Sequence, residues 1–404
     1  MRAIRVARVF AFLAVCACPS ALAAQTAEPT TRESALAQAQ AEKAKTLHPY
    51  VISGGERVMA KAEAILAGGG MKWHPFFESA YRGGGFAFGA GYAHYVSPYN
   101  FVDVRGSYTI TGYKRAEVEF NAPRLFERRG SLSLLGGWRE ATQVGFFGLG
   151  QSSSLDDETN FSFRQPYASA LLSVKPARKL LLLQGGAEWT QWQQRPGEGT
   201  TPSVETRYTP LTLPGLGAKT TYLHTQGTVG LDWRTSPGYS RRGGYYGITF
   251  HDFTDRDESF GFQQLDYELI QHVPILREAW VISLHGLAST TMTKSNQEIP
   301  FYMLPSLGGG SNLRGFDSWR FRDRNSLLLQ AEWRIMANRF LETAVFYDAG
   351  KVTRRTADLD FDGLEHDYGF GVRFHGPFAT PLRVDVARSS ESSFRLVFTS
   401  SAAF

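Results

Sequence analysis

The amino-acid sequence predicts an all-β membrane protein, an antiparallel transmembrane β-barrel of about 16 strands with a short helical N-terminal periplasmic segment. Three observations predict it. The chain starts with an export signal, apolar and polar residues alternate with a period of two from about residue 72 to the C-terminus, and the aromatic load is high at 29 Phe, 17 Tyr and 8 Trp. The mean hydropathy is only −0.25, and no long helical pattern follows residue 72, which is unusual for a soluble chain of 404 residues.

The first 24 residues are predicted to be a signal peptide that is removed on export. Three arginines precede an apolar run and a stretch of small residues: Arg2, Arg5 and Arg8, then 9–18, then 21–24. The apolar run is too short for a helix that crosses a bilayer, which needs roughly 20 residues. Both cysteines, Cys16 and Cys18, lie in this signal, so the mature chain has no thiol. Lipoprotein cleavage before one of them is the less favoured alternative.

The charge of the chain predicts no nucleic-acid partner. The formal net charge is +5, and three of the positive charges belong to the signal, which leaves +2 on the mature chain. A charge this small does not predict binding to a polyanion.

Residues 25–70 are predicted to form a short periplasmic segment of one or two helices. They are rich in Ala, Gln, Glu and Lys, and Ser53 with Glu56 has the spacing of a capping box. Apolar residues then fall on one helical face: Val58, Met59, Ala62, Ile65 and Leu66. The glycines at 68–70 end the pattern, and the segment is too short to have a core of its own.

Residues 71–404 are predicted to form the barrel. In 326–336, for example, Leu329 and Trp333 share one face while Glu332 lies on the other. Export and the aromatic load assign the apolar face to lipid and the polar face to the lumen, although a soluble sandwich would show the same alternation. The predicted strands are 73–81, 84–95, 100–110, 113–123, 131–141, 161–174, 179–193, 221–234, 244–254, 261–274, 279–292, 326–336, 341–352, 367–376, 382–389 and 393–404.

Short turns and long polar loops alternate between these strands, which is typical of tight periplasmic turns and free outer loops. The longest predicted outer loops are 142–160, 194–220, 293–325 and 353–366. The even strand number predicts that both chain ends lie on the periplasmic side.

Four motifs follow one another in the second half of the barrel. They are DWRTSPGYSRRGGYY at 232–246, IPFYMLPSLGGGSNLRGF at 299–316 with its Arg314-Gly315-Phe316 tripeptide, Glu332 in LLLQAEWR, and Asp348 in VFYDAGKV. In this order they resemble the BamA/TamA superfamily of outer-membrane barrels, also called the bacterial surface antigen family. The resemblance covers 72–404 and implies a barrel that helps to insert or translocate protein or lipid.

The tripeptide and the two carboxylates also predict a contact inside the lumen. Glu332 and Asp348 have the lumen-facing parity of their strands, and the planar guanidinium of Arg314 can bind two carboxylates at once. Glycines around Arg314 let loop 293–325 fold back tightly. We therefore expect a lumen loop-pinning cluster of Arg314, Gly315, Phe316, Glu332 and Asp348. The alternative is that these charges are solvated in a wet pore.

The chain departs from the best-known family members before the first strand. Only 46 residues lie between the signal and the barrel, so periplasmic polypeptide-transport-associated (POTRA) domains are expected to be absent. The family's weak seam between first and last strands has candidate residues in Pro75, which removes a ladder donor, and the terminal Phe404. Pro75 is equally an ordinary way for a strand to begin.

Two other kinds of site are not favoured. Asp358, Asp360 and Asp362 copy the first half of a calcium-binding loop, but the twelfth position is Gly369 instead of Glu, so an acidic outer loop is preferred. The chain has no nucleophile, zinc or phosphate-loop motif, and its nine His are scattered. No enzyme activity and no cofactor are expected.

The expected function is outer-membrane biogenesis or translocation of protein or lipid, in the bacterial cell outer membrane. The expected partners are outer-membrane lipids, client polypeptides or lipids, and the barrel-assembly machinery that inserts the chain itself. Two alternatives stay open. A passive, porin-like channel is favoured by the expected lack of periplasmic domains but opposed by a loop in the lumen, and the third class is a surface-exposed structural barrel.

Overall fold

The computed structural model describes residues 31–46, 54–55, 57–58, 60–61, 72–176, 180–276, 278–338, 340–375, 380, 382–399 and 404. The predicted signal 1–24 and most of the predicted second helix, including Ser53, Glu56 and Met59, lie outside them. The chain divides into two compact units at Gly54, with helix α1 (Arg32–Thr46) in the first and every strand in the second. In the described ranges no helix has the length and apolarity to span a bilayer.

The strands of the second unit are β1 (Trp73–Pro75), β2 (Ala87–Tyr95), β3 (Phe101–Thr109), β4 (Lys114–Leu125), β5 (Gly130–Phe146), β6 (Thr159–Val174), β7 (Leu181–Pro196), β8 (Lys219–Asp232), β9 (Gly243–Asp255), β10 (Phe262–Leu276), β11 (Trp280–Thr293), β12 (Ser306–Leu307), β13 (Phe321–Arg322), β14 (Asn325–Met336), β15 (Leu341–Thr353), β16 (Glu365–Phe374), β17 (Leu382–Ser389) and β18 (Arg395–Thr399).

One antiparallel sheet of 16 strands runs in chain order through β1–β11 and β14–β18. This sheet confirms the predicted fold class. The other two strands, β12 and β13, form a hairpin inside the connection between β11 and β14. Among the described residues, β1 and β18 are not hydrogen-bonded to each other.

The start of β1 and the end of β18 lie at the same end of the sheet, because the number of strands is even. This end is the one predicted from the sequence to face the periplasm. The connections there are 96–100, 126–129, 175–180, 233–242, 277–279, 337–340 and 375–381.

The two faces of the sheet differ as the alternation predicts. In β14, Gln330, Glu332 and Arg334 are buried, whereas Trp333 between them is 41% exposed. Large apolar side chains are exposed on the outward face of the neighbouring strands, as Val345 and Tyr347 are on β15. Exposed apolar residues beside a buried charged face are the arrangement expected of a barrel in lipid.

The first predicted strand, 73–81, is wrong in its length. Hydrogen bonding to β2 ends at Pro75 and Phe76, and the chain then passes into the interior. We call residues 76–86 the strap. Its Ala80 is 2% exposed and Tyr81 stacks on Trp319 at a centroid distance of 4.5 Å, so burial of aromatic surface replaces the predicted ladder.

The last predicted strand, 393–404, is also too long. Strand β18 ends at Thr399, and residues 400–403 lie outside the described residues. Phe404 was predicted to end the strand 393–404, but it packs against the inward-facing Tyr245 and Ile270 and stacks on His285 at 5.1 Å. Packing inside the barrel removes this aromatic ring from water, which is favourable even though Phe404 does not belong to a strand.

Candidate functional site

The connection between β11 and β14, residues 294–324, folds back over the interior of the barrel; we call it the long loop. Leu313, Arg314 and Phe316 are at most 1% exposed. Close packing against the wall needs glycine at one point of the loop, since a Cβ on Gly315 would lie 2.6 Å from Cβ of Asp367 on β16. The loop therefore approaches the wall at the tripeptide itself.

Arg314 at this point contacts three carboxylates of the barrel wall. Its Nε and Nη2 donate to both oxygens of Asp348 at 2.6 and 2.7 Å, and its Nη1 donates to Glu332 at 2.7 Å and to Asp385 at 3.3 Å. The guanidinium also lies 3.5 Å from the ring centroid of Phe346. Burial alone lowers the pKa of Arg314, but the carboxylates outweigh it and raise the pKa well above its ordinary value. We call Arg314, Glu332, Asp348 and Asp385 the outer cluster.

Neighbouring wall residues surround the outer cluster with further polar contacts. Arg373 donates to Glu332, and Arg383 pairs with Asp385 at 3.1 Å. Gln330 donates to Asp348 at 3.2 Å and to the backbone oxygen of Asn312 in the long loop at 3.0 Å. The charges are thus compensated within a buried network, which such charges require in a low-dielectric interior.

Phe316 supplies the apolar part of the same contact. It is 1% exposed and packs edge-on to Phe321 of β13 at 5.2 Å. The cluster around these rings includes Leu313 from the long loop and Leu328 and Val352 from the wall. The Arg314-Gly315-Phe316 tripeptide therefore contacts the barrel wall through apolar as well as charged groups.

Towards its outer end the interior is closed by aromatic rings. The long loop contributes Phe301, Tyr302 and Trp319, which pack with residues of the wall: Phe146, Phe161, Phe163, Trp192 and Tyr222. The strap joins the cluster through Tyr81, and Trp319 donates to the backbone oxygen of Arg82 at 3.1 Å. Close aromatic packing of this kind leaves little room for water.

A second charged cluster lies near the periplasmic end, where the turn 233–242 folds inward. Arg241 and Tyr239 of this turn both donate to Glu342 of β15, at 2.8 and 2.9 Å. Arg334 of β14 donates to Glu342 at 2.8 Å and to the backbone oxygen of Ser240 at 2.8 Å. Glu342 is fully buried. We call Tyr239, Arg241, Arg334 and Glu342 the inner cluster.

The remaining predicted site residues lie apart from these clusters. Pro75 ends β1 opposite Ala90, and Phe404 lies inside the barrel as described above. In the acidic outer loop Asp358 pairs with Arg355 at 2.9 Å and Asp360 with Lys351 at 2.6 Å. Within the described ranges no group of three or more His, Asp or Glu side chains is placed to hold a metal ion.

Neither the inner cluster nor the contacts of Arg373, Arg383 and Asp385 around Arg314 were predicted from the sequence. Arg373, Arg383 and Asp385 have the same inward parity as Glu332 and Asp348, so strand parity alone could have indicated them. The pairing of Arg241 with Glu342 joins residues 101 positions apart and has no local signal. The motif 232–246 was recognised, but its inward contact was not predicted.

Comparison with known proteins places these features in a family. The Omp85 superfamily domain matches residues 100–395, and no curated protein matches the chain. Among solved structures, BamA from Haemophilus ducreyi lacking POTRA domains 1–3 is similar at a TM-score of 0.59 and 14% identity, covering 81% of this chain and 68% of that one. The siderophore receptor PirA from Pseudomonas aeruginosa aligns at a TM-score of only 0.35 and 10% identity, over 78% of this chain and 56% of that one.

Proposed function

Because this chain belongs to the Omp85 superfamily and has a BamA-like barrel fold, it is a protein of the bacterial outer membrane, and we propose that it acts in outer-membrane biogenesis or in translocation of protein or lipid. The proposed partners are outer-membrane lipids, client polypeptides or lipids, and the barrel-assembly machinery that inserts the chain. In this proposal residues 1–24 direct export and 25–70 form a periplasmic segment that contains α1. It includes no enzymatic step.

The observation that carries the proposal is an interior occupied by the protein's own segments. The long loop and strap fill the outer part of the lumen, and the turn 233–242 fills part of the periplasmic side. A passive channel needs a continuous aqueous path, whereas here aromatic rings and compensated charges occupy the interior. The occupied lumen therefore supports a family-type barrel over a porin-like one.

Within this proposal the outer cluster pins the long loop in the lumen. Removing Arg314 would leave Asp348, Glu332 and Asp385 without their shared cation in a site that water does not reach. A loop held by several charge-assisted hydrogen bonds stays in place unless the whole set is broken. Barrel assembly is then expected to depend on the tripeptide.

The seam between β1 and β18 is the proposed route by which a client would meet the barrel wall. Two observations support this route. Strand β1 has only three residues, and among the described residues it forms no ladder of hydrogen bonds with β18. Pro75 at the end of β1 has no backbone N–H to donate, so a ladder extended through this residue would lack one hydrogen bond.

Two experiments test the proposal. A depletion strain is expected to lose other outer-membrane proteins or the lipid asymmetry of that membrane, and normal levels of both would contradict it. In planar bilayers the purified protein is expected to give small, irregular events that grow when residues 294–324 are replaced by a short linker. Large, steady and ion-selective conductance of the intact protein would favour the passive channel.

A further inference from the structure

Exposed arginines are concentrated along one stretch of the periplasmic rim of the barrel. Arg124, Arg128, Arg129 and Arg242 are exposed there, and none of them has an ion pair within the described ranges. The outer connections instead carry many exposed carboxylates, among them Asp156, Asp157, Glu158, Asp257 and Glu258. Exposed arginines also occur at that end, among them Arg256, Arg354 and Arg355, but there they lie in connections that carry exposed carboxylates as well.

This stretch of the rim is continuous through direct contacts. The guanidinium of Arg124 lies 3.6 Å from the ring centroid of Tyr99, which joins the turn 96–100 to β4. The N–H of Lys175 donates to the backbone oxygen of Arg129 at 2.6 Å, and its Nζ pairs with Asp232 at the end of β8. Asp232 lies ten residues before Arg242 on the next turn. Arg124, Arg128 and Arg129 therefore lie together at the turn 126–129, and Arg242 lies two turns further along the same rim, beyond the turn 175–180.

Aromatic side chains mark where this rim meets the bilayer. Trp73, Tyr95 and Tyr99 are exposed at the periplasmic ends of their strands, and Trp280 and Trp333 form an exposed pair at 5.6 Å. Trp and Tyr collect at the level of the lipid headgroups in membrane barrels. Arginines directly beside such a girdle lie at the height of the headgroup phosphates.

The turn 126–129 holds its side chains in an unusual backbone conformation. Phe126, Glu127 and Arg128 all have positive φ, at 49°, 57° and 69°, although none of them is glycine. L-residues adopt this conformation at a cost and seldom in succession. The ring of Phe126 lies over Gly130, where a Cβ would come within 2.6 Å of it, yet the side chain remains 60% exposed. The turn is a preformed projection with one apolar ring, one exposed carboxylate at Glu127 and two adjacent cations, so it keeps a net positive charge.

We propose that Arg124, Phe126, Arg128, Arg129 and Arg242 bind the headgroups of anionic phospholipids in the periplasmic leaflet of the outer membrane. The guanidinium fork matches a phosphate in both geometry and charge. Phe126 would enter the acyl boundary beside the headgroup, as aromatic residues at membrane interfaces do. A lipid surface fits better than an acidic protein, because Tyr99 and Phe126 are exposed together with the arginines at the level of the girdle.

The test measures lipid retention by the purified, folded full-length chain in detergent micelles. Phosphatidylglycerol and phosphatidylcholine are added in equal amounts, and the lipids retained are counted by native mass spectrometry. The intact chain is expected to retain more phosphatidylglycerol, and R128Q/R129Q to retain at least about five-fold less of it, since each interfacial arginine contributes about that factor. Raised salt should reduce the preference of the intact chain.

The matched control is R354Q/R355Q, which removes two exposed arginines from the opposite end of the barrel. This control is expected to keep the preference for phosphatidylglycerol, and heat-modifiability on gels checks that both variants are folded. Equal retention of the two lipids by the intact chain, or equal phosphatidylglycerol retention by R128Q/R129Q and the intact chain, would overturn the proposal. The proposal would also be overturned if R128Q/R129Q lost a crosslink to an acidic periplasmic protein but kept its preference for phosphatidylglycerol.

Discussion

The outer and inner clusters hold two different connections inside the barrel, and they do so with different degrees of redundancy. In the outer cluster one loop cation, Arg314, serves three wall carboxylates. In the inner cluster one wall carboxylate, Glu342, receives two donors from the turn and one from Arg334 of the wall. Loss of the loop cation therefore leaves the buried Asp348 without a cation, while Glu332 keeps Arg373 and Asp385 keeps Arg383. Loss of the turn cation leaves Glu342 still paired with Arg334.

The largest effect is expected for Arg314→Ala. Removing one partner of a buried charge network typically costs about 3–5 kcal/mol of folding free energy, because the remaining charges stay buried. We expect a lower yield of folded barrel and a lower temperature for loss of the compact, heat-modifiable band on gels. Arg355→Ala, at an exposed ion pair of the outer loop, is the control and should leave that temperature unchanged. If the two variants behave alike, Arg314 does not pin the loop.

Residues of these clusters could be predicted from the sequence where strand parity places them, but not where they depend on contacts with distant residues. Period-two alternation placed Glu332 and Asp348 on the inward face, because parity is a local property of a strand. The inward turns at Phe76 and Phe404 were missed because the alternation continues past Phe76 and runs up to Phe404. Their partners, Trp319 for the strap and His285 for Phe404, are far away in the chain. A local pattern cannot indicate which distant ring will cover an aromatic residue.

The POTRA expectation and the role of α1 remain predictions of the sequence, whereas the barrel follows from the family and the fold. The motif 232–246 lies between these cases. The resemblance of this motif to the family could be recognised in the amino-acid sequence. The contact of Arg241 with Glu342, however, depends on how β8, β9 and β15 curve around a shared interior. Such contacts require the curvature that brings distant strands to face each other, which alternation alone does not specify.

A smaller effect is expected for Arg241→Ala, which removes the turn cation of the inner cluster. Hydrogen bonds to charged groups contribute about 1.5–3 kcal/mol, and Glu342 keeps Arg334 and Tyr239 as donors. The gel transition should therefore fall between those of the intact chain and Arg314→Ala. The neighbouring, exposed Arg242→Ala is the matched control on the same turn. A loss as large as that of Arg314→Ala would show that redundancy does not distinguish the two clusters.

The smallest effect is expected for Gln330→Met, which removes neutral hydrogen-bonding groups beside the outer cluster, including the amide oxygen that lies 2.8 Å from Nδ1 of His285. Gln330 donates to Asp348 and to the backbone oxygen of Asn312, and Met keeps a similar volume. Hydrogen bonds of these kinds contribute about 1–3 kcal/mol, but the guanidinium of Arg314 still compensates Asp348. The gel transition should therefore drop by less than in Arg241→Ala, which removes a charged donor. Arg314 and Gln330 share Asp348, so the double variant should lose less than the two single losses added together. Strict additivity would mean that the charged and neutral contacts hold the long loop independently of each other.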